Sequence, residues 1–250
     1  MGACPRDICC TARPSRTPRC SRAGASPTSP QGKFPDAALI DGRTCEGVAA
    51  YGKHVFYNFD DRHVHVHLGL RGFFTEHAGT PPEPLAWVRM RLAVADGAVD
   101  LLAPMKCEVF DDAAMAAVIA KLGSDPLAAT DEDEAVRRLR TARGSIGVAL
   151  LDQGIWAGLG NAFRSELLYL ARLLPTTPCA ALTDEQARTL WRSAQEQLLI
   201  GARLGIIATV DGETDAKWVY KQETCRGCGA AVQSATIAAR LAHWCPAEQH

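Results

Sequence analysis

The chain has 250 residues, of which 47% are hydrophobic and 22% are charged, and its formal net charge is −1. This length suits one large domain or two ordinary ones, with enough apolar residues to bury a core. The near-neutral charge excludes a protein that is basic throughout, so any nucleic-acid-binding face must be local. No apolar run approaches the roughly 18 residues of a membrane span, and no signal-peptide core is present, so we expect a cytoplasmic protein.

Residues 1–28 form an irregular leader rich in Pro, Ser, Arg and Cys. Five arginines stand there against a single acid, Asp7, and apolar residues follow no period. A transit peptide would be amphipathic, and this segment is not. We expect it to be disordered.

The segment from Pro35 to Asp100 has the alternation of β-strands. Residues 54–59 and 63–68 flank a charged turn and predict a hairpin. His63, His65 and His67 would share one face of its second strand because side chains alternate. Such a face can bind zinc, or it can be a polar side that faces water or DNA.

Further strands are predicted at 87–95 and 99–109, and a helix is predicted from Asp111 to Lys121.

The second half of the chain is predicted to be mainly helical. Two apolar helical runs meet at the turn Gly158-Leu159-Gly160-Asn161. Glycines allow close backbone approach, and a following helix presents unpaired N–H groups, so this turn suits a phosphate ligand; an ordinary glycine corner is the alternative. Thr183 and Gln186 predict a capping box for a helix that ends near Leu204. Residues 205–223 are predicted to be loop and short strand.

Three of the ten cysteines have the spacing of metal ligands. Cys225 and Cys228 are separated by two residues, and Cys245 follows after sixteen more. In a cytoplasmic chain this pattern indicates zinc rather than a disulfide. Zinc requires a fourth ligand, for which Glu248, His250 and His243 are candidates.

Several motifs in order resemble the formamidopyrimidine-DNA glycosylase and endonuclease VIII family, and most closely its endonuclease VIII branch. The resemblance covers roughly residues 29–248. The motifs that carry it are 29–34 (SPQGKF), Gly52-Lys53-His54, His67-Leu68-Gly69-Leu70, 122–127 (LGSDPL), Asp152-Gln153, 158–161 (GLGN), Arg164-Ser165-Glu166 and Trp244-Cys245-Pro246.

The resemblance implies an α+β fold with an N-terminal, mainly β domain like a β-sandwich. A helix–two-turn–helix domain and a C-terminal zinc-ribbon hairpin follow it. We therefore divide the chain after its 1–28 leader into a β-rich domain at 29–124, a helix–two-turn–helix domain at 125–215 and a zinc hairpin at 216–250.

The resemblance also assigns roles to individual residues. Lys53 matches a lysine that acts as a catalytic acid during strand scission, and Leu70 matches the side chain inserted into the vacated base stack. Asn161 is expected to hold phosphates, and Arg240 to enter the minor groove from the hairpin tip. One structural Zn²⁺ is expected on Cys225, Cys228 and Cys245, with Glu248 fourth by position.

The family's nucleophile is a proline that follows the initiator methionine and precedes a glutamate, whereas Gly2 stands here. The segment from Cys4 to Ala12 can be back-translated with codons that are permitted for each residue. Read from the last base of the Cys4 codon, the same nucleotides encode Pro-Glu-Gly-His-Met-Leu-His-Arg. We therefore expect the leader to arise from a base gained or lost between about codons 12 and 29. Without proline and glutamate, we expect this chain to bind damaged DNA with little glycosylase activity.

The function expected from the resemblance is that of a bifunctional DNA glycosylase and abasic-site lyase of base excision repair. Its ligand would be duplex DNA with oxidised bases, chiefly pyrimidines, or abasic sites. The protein would be a monomer, associated with the nucleoid when bound to DNA. The alternatives are a non-catalytic, zinc-containing binder of damaged DNA and an RNA-binding protein.

Overall fold

The structure is a computed structural model that describes residues 27–28, 34–94, 97–211, 213 and 216–250. It divides into two compact units, Met1–Ala120 and Lys121–His250. Of the expected leader at 1–28, only residues 27 and 28 are described. Of the motif at 29–34, only residue 34 is described. No described helix is both long and apolar enough to cross a membrane.

The first unit contains two four-stranded antiparallel sheets. One sheet has the order β2-β3-β4-β8 and the other the order β1-β6-β7-β5. The strands are β1 (Pro27–Thr28), β2 (Gly47–Tyr51), β3 (His54–Phe59), β4 (Arg62–His67), β5 (Phe73–Ala78), β6 (Val88–Val94), β7 (Gly97–Leu102) and β8 (Lys106–Phe110).

Among the described residues, one hydrophobic cluster draws side chains from both sheets. Val55 and Val66 from the first sheet and Met90 and Leu101 from the second belong to one buried cluster, together with Phe34. A short 3₁₀ helix, Pro35–Leu39, buries Ala37 in the same cluster. The alternation along β3 and β4 sends one set of side chains into this core and the other set, which includes the histidines, to the opposite face.

The predicted hairpin is confirmed, and one predicted strand is wrong. β3 and β4 pair from Val55 with Val66 to Phe59 with Arg62, around a turn in which Asp60 adopts φ 58°. The predicted strand 99–109 is two strands, β7 and β8. Between them Ala103 adopts φ 43° and Pro104 follows, and neither a left-handed residue nor a proline continues a ladder.

The second unit is built from helices and one hairpin. The elements are α2 (Glu132–Thr141), α3 (Ile146–Ala149), α4 (Asn161–Leu170), α5 (Asp184–Leu204), β9 (Gln233–Ile237) and β10 (Arg240–Trp244). The first unit contributes α1 (Asp112–Ile119), whose start is capped by Asp111 through Ala114 N at 2.8 Å. Trp156 and Trp191, both fully buried, meet edge to face at 4.9 Å in the helical core.

The ends of the long helix agree with the prediction. Thr183 Oγ1 accepts from Gln186 N at 3.1 Å, and Gln186 Oε1 accepts from Thr183 N at 2.9 Å, which is the predicted capping box. Gly205, at φ 72°, ends α5 after Leu204. In residues 205–223 the predicted short strand is wrong, because the described part of that segment consists of turns, bends and irregular loop and contains no strand.

Candidate functional site

Lys53 lies in the two-residue turn between β2 and β3. Gly52 adopts φ 56° there, and the pairing of Tyr51 with His54 closes the turn. The Lys53 side chain is partly buried, and its positive charge contributes to the lowered pKa of His67, after burial of that ring as the larger cause. Lys53 therefore lies within electrostatic reach of the end of β4.

A row of histidines follows Lys53 on the sheet face opposite the core. His54 Nδ1 lies 2.7 Å from His65 Nε2, and the His54 ring centroid is 5.0 Å from that of His67. Burial, followed by the charges of His65, His67 and Lys106, lowers the pKa of His54 to about 4. The row is therefore neutral at physiological pH.

The histidine face is neither a metal site nor a wetted surface. His63 and His65 are buried, at 7% and 1% exposure, and His63 Nδ1 and Nε2 lie 2.8 Å from oxygens of Asn58 and Asp112. Within the described part of the chain, the three histidines form no group whose ligand atoms are close enough for one ion.

Leu70 is displayed on a tight loop after β4. Its side chain is 56% exposed, and the loop is closed by Gly72 N donating to Leu68 O at 3.0 Å. Gly69 adopts φ 65°, and a Cβ at this position would lie 2.7 Å from Met105 Cβ. Met105, 64% exposed, therefore packs on the loop that presents Leu70. Sequence reasoning missed Met105, since a lone methionine between strands carries no signal.

Asn161 is the first residue of α4, and its side chain contacts the C-terminal hairpin. Asn161 Nδ2 donates to Leu241 O at 3.0 Å, and its Oδ1 accepts from Arg164 Nη2 at 2.5 Å. Each end of the amide thus has one partner within the protein, and Nδ2 has a second N–H. That N–H and the start of the helix, where the first backbone N–H groups have no intrahelical partner, remain for a ligand.

Arg164 joins the start of α4 to the hairpin. It is fully buried, and besides Asn161 it donates to the carbonyls of Gly147 at 3.1 Å, Ile237 at 3.0 Å and Arg240 at 3.2 Å. Burial lowers its pKa to about 10, so it stays charged at neutral pH. A buried charge of this kind requires multiple acceptors, and these carbonyls supply them.

The next two residues hold the rest of the C-terminal module. Ser165 Oγ accepts from His243 N at 3.2 Å. The buried Glu166 carboxylate accepts from the backbone N–H groups of Trp218, Val219 and Tyr220 at 2.8–2.9 Å. Sequence reasoning gave these residues no role. Three consecutive polar residues between Phe163 and Leu167 in an apolar helix were the available signal, because buried polar groups need partners.

Arg240 lies at the tip of the β9–β10 hairpin. The two turn residues, Ala238 and Ala239, adopt φ 52° and 57°, a conformation that alanine adopts rarely and that stores strain. The Arg240 side chain is exposed and forms no ion pair with any described residue. Four other arginines of this unit are paired with acids: Arg137 and Arg138 with Glu134, Arg140 with Asp184, and Arg226 with Glu213.

The three spaced cysteines come together. The Sγ atoms of Cys225, Cys228 and Cys245 all lie within 4.8 Å of one another, and those of Cys228 and Cys245 are 3.5 Å apart. Tetrahedral zinc with bonds of about 2.3 Å places its sulfurs about 3.8 Å apart, so the cluster fits zinc. Glu248 is not in the cluster, because its carboxylate forms an ion pair with Arg172.

Comparison with known proteins places both units. The family model described as the formamidopyrimidine-DNA glycosylase N-terminal domain matches residues 19–103, and that of the H2TH domain matches 122–212. "Endonuclease 8 1" of Mycobacterium tuberculosis is 37% identical over 248 residues, covering 91% of this chain and 92% of the relative.

Two further similarities extend this result. A DNA-(apurinic or apyrimidinic site) lyase of Mycolicibacterium smegmatis is 29% identical over 222 residues, covering 86% of each chain. The crystal structure of the Lactococcus lactis enzyme with DNA containing a formamidopyrimidine lesion superposes with a TM-score of 0.81 at 23% identity, over 98% of both chains. This last likeness concerns the fold, and it confirms the predicted α+β class.

Proposed function

Because the chain belongs to the formamidopyrimidine-DNA glycosylase family, we propose that it recognises damaged duplex DNA, as a base-excision-repair protein of the glycosylase and abasic-site lyase type. The observation that carries the proposal is Arg164. This one buried side chain holds both the start of α4 and the turn that displays Arg240. A helix start suits a phosphate, and an exposed arginine suits a groove or a phosphate.

The chemistry proposed is that of the family. A damaged nucleotide leaves the base stack, since its C1′ is not accessible inside the duplex. A primary amine then displaces the base and forms a Schiff base with the sugar. An α-amino group, with a pKa near 8, is more often neutral at physiological pH than a lysine near 10.4. Lys53, held in its turn beside His54, would protonate a leaving oxygen during strand scission.

For a polypeptide with the printed first residues, we propose damaged-DNA binding with little glycosylase activity. If the initiator methionine is removed, Gly2 offers a primary amine but has no neighbouring glutamate, and an amine that is not positioned at the sugar loses most of the advantage of proximity. This makes the non-catalytic damaged-DNA binder the second candidate function.

Borohydride trapping on abasic duplex DNA tests this proposal. The printed chain is compared with a frame-restored protein. In that protein the same gene is translated in the shifted frame from the codon of Cys4 to about codon 29, so that it starts with Pro-Glu-Gly-His-Met-Leu-His-Arg. We expect the printed chain to trap at least about a hundredfold less, which corresponds to roughly 2.7 kcal/mol of lost positioning. Equal trapping by the two proteins would contradict the proposal. Loss of strand scission in Lys53→Ala of the frame-restored protein, with borohydride trapping retained, would support the role of Lys53.

Oxidised pyrimidines are the substrates we propose, since the endonuclease VIII branch is the one this chain resembles and "Endonuclease 8 1" is among its relatives. Base release by the frame-restored protein from duplexes containing an oxidised pyrimidine or an oxidised purine measures the preference. Faster release of the purine would contradict it. We further propose a monomer that acts in the cytoplasm at the nucleoid.

Zinc is the metal we propose for the cysteine cluster. Cys225, Cys228 and Cys245 would hold it, and when bound it cross-links the loop 225–228 to the end of β10. Its chemistry there is structural. The cross-link supports the same hairpin that Arg164 grips, and so the placement of Arg240.

A further inference from the structure

The last residues of the chain are bound along the end of α4. Cys245 N donates to Gln249 Oε1 at 2.8 Å, and Gln249 Nε2 donates to Leu173 O at 2.7 Å. The His250 backbone N donates to Arg172 O at 3.1 Å. Gln249 is 3% exposed. These bonds fix the backbone between Cys245 and His250 and limit where Glu248 can reach.

Arg172 holds the Glu248 carboxylate away from the cysteines. The two side chains form an ion pair. Arg172 follows α4 with φ 58°, and its guanidinium carbon lies 5.5 Å from the centre of the Tyr169 ring. Ligation by Glu248 would break the ion pair with Arg172.

The two histidines near the cluster are also held elsewhere. The His243 ring packs edge-on against Tyr220 at 5.3 Å, and its backbone is bonded to Ser165. His250 is held through its backbone and is exposed. Within the described part of the chain, neither histidine belongs to the group whose ligand atoms lie within 4.8 Å.

The cysteine cluster is open to solvent on one side. Cys225 and Cys245 are 2% and 0% exposed, whereas Cys228 is exposed. Cys225 Sγ also has a polar neighbour, Tyr169 Oη, at 3.7 Å. A small molecule can therefore reach the cluster beside Cys228.

We propose that the zinc centre has only three protein ligands, Cys225, Cys228 and Cys245, and that its fourth position takes an exchangeable ligand from solution. That ligand is water, or a small thiolate when one is present. With zinc held by the three cysteines, a thiol that replaced the water would lose its proton to solvent, its sulfur would bind the metal and the water would leave. Zinc sites with three protein ligands and an open position are those that bind external molecules. This inference rests on the proposed zinc site.

Cobalt(II) substitution of the full chain tests the proposal, because visible absorption of cobalt reports its donor atoms while zinc is silent. Spectra are recorded for wild type, Glu248→Gln, His250→Ala and His243→Gln, before and after addition of β-mercaptoethanol. Glu223→Gln is the matched control, since Glu223 is an exposed acid in the same module. Glu248→Cys supplies a fourth thiolate three residues after Cys245, the same spacing that separates Cys225 from Cys228.

We expect the wild type, the three ligand-candidate variants and the control to share one spectrum and one shift upon addition of the thiol. Glu248→Cys should show a different starting spectrum and lose the response to thiol. A changed spectrum in Glu248→Gln, His250→Ala or His243→Gln before thiol addition would overturn the proposal. So would a wild type without a thiol response, or one that binds no cobalt. No DNA is present, so failure of the DNA-binding proposal would leave these spectra unaffected.

Discussion

Arg164→Met keeps the length of the buried side chain and removes its donors. Four oxygens, on Gly147, Asn161, Ile237 and Arg240, then lose their partner. Each buried oxygen without a donor costs about 1–3 kcal/mol, and because the losses are not additive we expect about 3 kcal/mol in the free energy of unfolding. Chemical denaturation measures it, with the exposed Arg203→Met as control. A loss below about 1 kcal/mol would mean that Arg164 does not hold the hairpin.

The histidine row predicts a loss of stability in mild acid. His54 has a pKa of about 4 in the folded protein against 6.5 when unfolded, chiefly because it is buried. Between these values the unfolded state binds more protons, so the free energy of unfolding falls as pH drops from 6.5 to 4. His65 and His67, with Lys53, Lys106 and Glu108 nearby, contribute to the same slope.

His54→Gln should make that slope shallower. Denaturation at pH 7.5, 6 and 5 gives the slope for both proteins. Exposed His250→Ala serves as the control, since it lies in the other unit and removes an unburied ring. An unchanged slope in His54→Gln would assign the acid sensitivity to other groups.

Single residues also show where sequence reasoning ended. The spacing of Cys225, Cys228 and Cys245 follows from zinc chemistry and is readable without a structure. The partner of Glu248 is not, because Arg172 is 76 residues away in the chain and meets it only through packing. The same holds for Arg164, whose acceptors are backbone oxygens that no pattern of side chains reveals.

The loop after β4 depends on glycine for its shape. Gly69→Ala introduces a Cβ at φ 65° that would meet Met105, whereas Gly79→Ala at φ 69° meets nothing within 4 Å. Both substitutions place an alanine in the left-handed region of φ, which lowers the free energy of unfolding by about 1–2 kcal/mol. Only Gly69→Ala also disturbs the loop that displays Leu70. We expect Gly69→Ala, and not Gly79→Ala, to weaken binding of abasic duplex DNA several-fold, measured by fluorescence anisotropy. Equal effects of the two substitutions would contradict this account of the loop.

Elements with strong local signals were predictable. Period-two alternation gave the β3–β4 hairpin, and side-chain chemistry at Asp111 and Thr183 gave two helix starts, since these signals depend only on neighbours in the chain. The break between β7 and β8 was missed because residues 101–105, which include Pro104, form an uninterrupted apolar run. The β9–β10 turn, Ala238-Ala239, lacks the glycine or asparagine typical of such turns, and it depends on tertiary contacts such as that from Arg164 to Ile237 O.

At the scale of the whole molecule, each unit carries part of the candidate machinery. Lys53, the histidine row and Leu70 belong to the first unit, whereas Asn161, Arg240 and the cysteine cluster belong to the second. The net charge of −1 does not indicate DNA binding, because 28 acidic residues offset 27 basic ones, and the three arginines of α2 are paired with acids within the chain. Recognition would therefore rest on a few placed groups and depend on salt only moderately.

We propose that this chain selects damaged duplex DNA through the surface that Arg164 organises. Dissociation constants at one fixed salt concentration for abasic duplex, intact duplex and structured RNA test it directly. We expect the 250-residue chain to bind the abasic duplex on the order of tenfold or more tightly than the other two nucleic acids. Arg240→Ala should lose about tenfold in affinity for the abasic duplex. Arg203→Ala should bind it as the wild type does. Equal affinity for the three nucleic acids, or an Arg240→Ala protein that binds as the wild type does, would contradict the account.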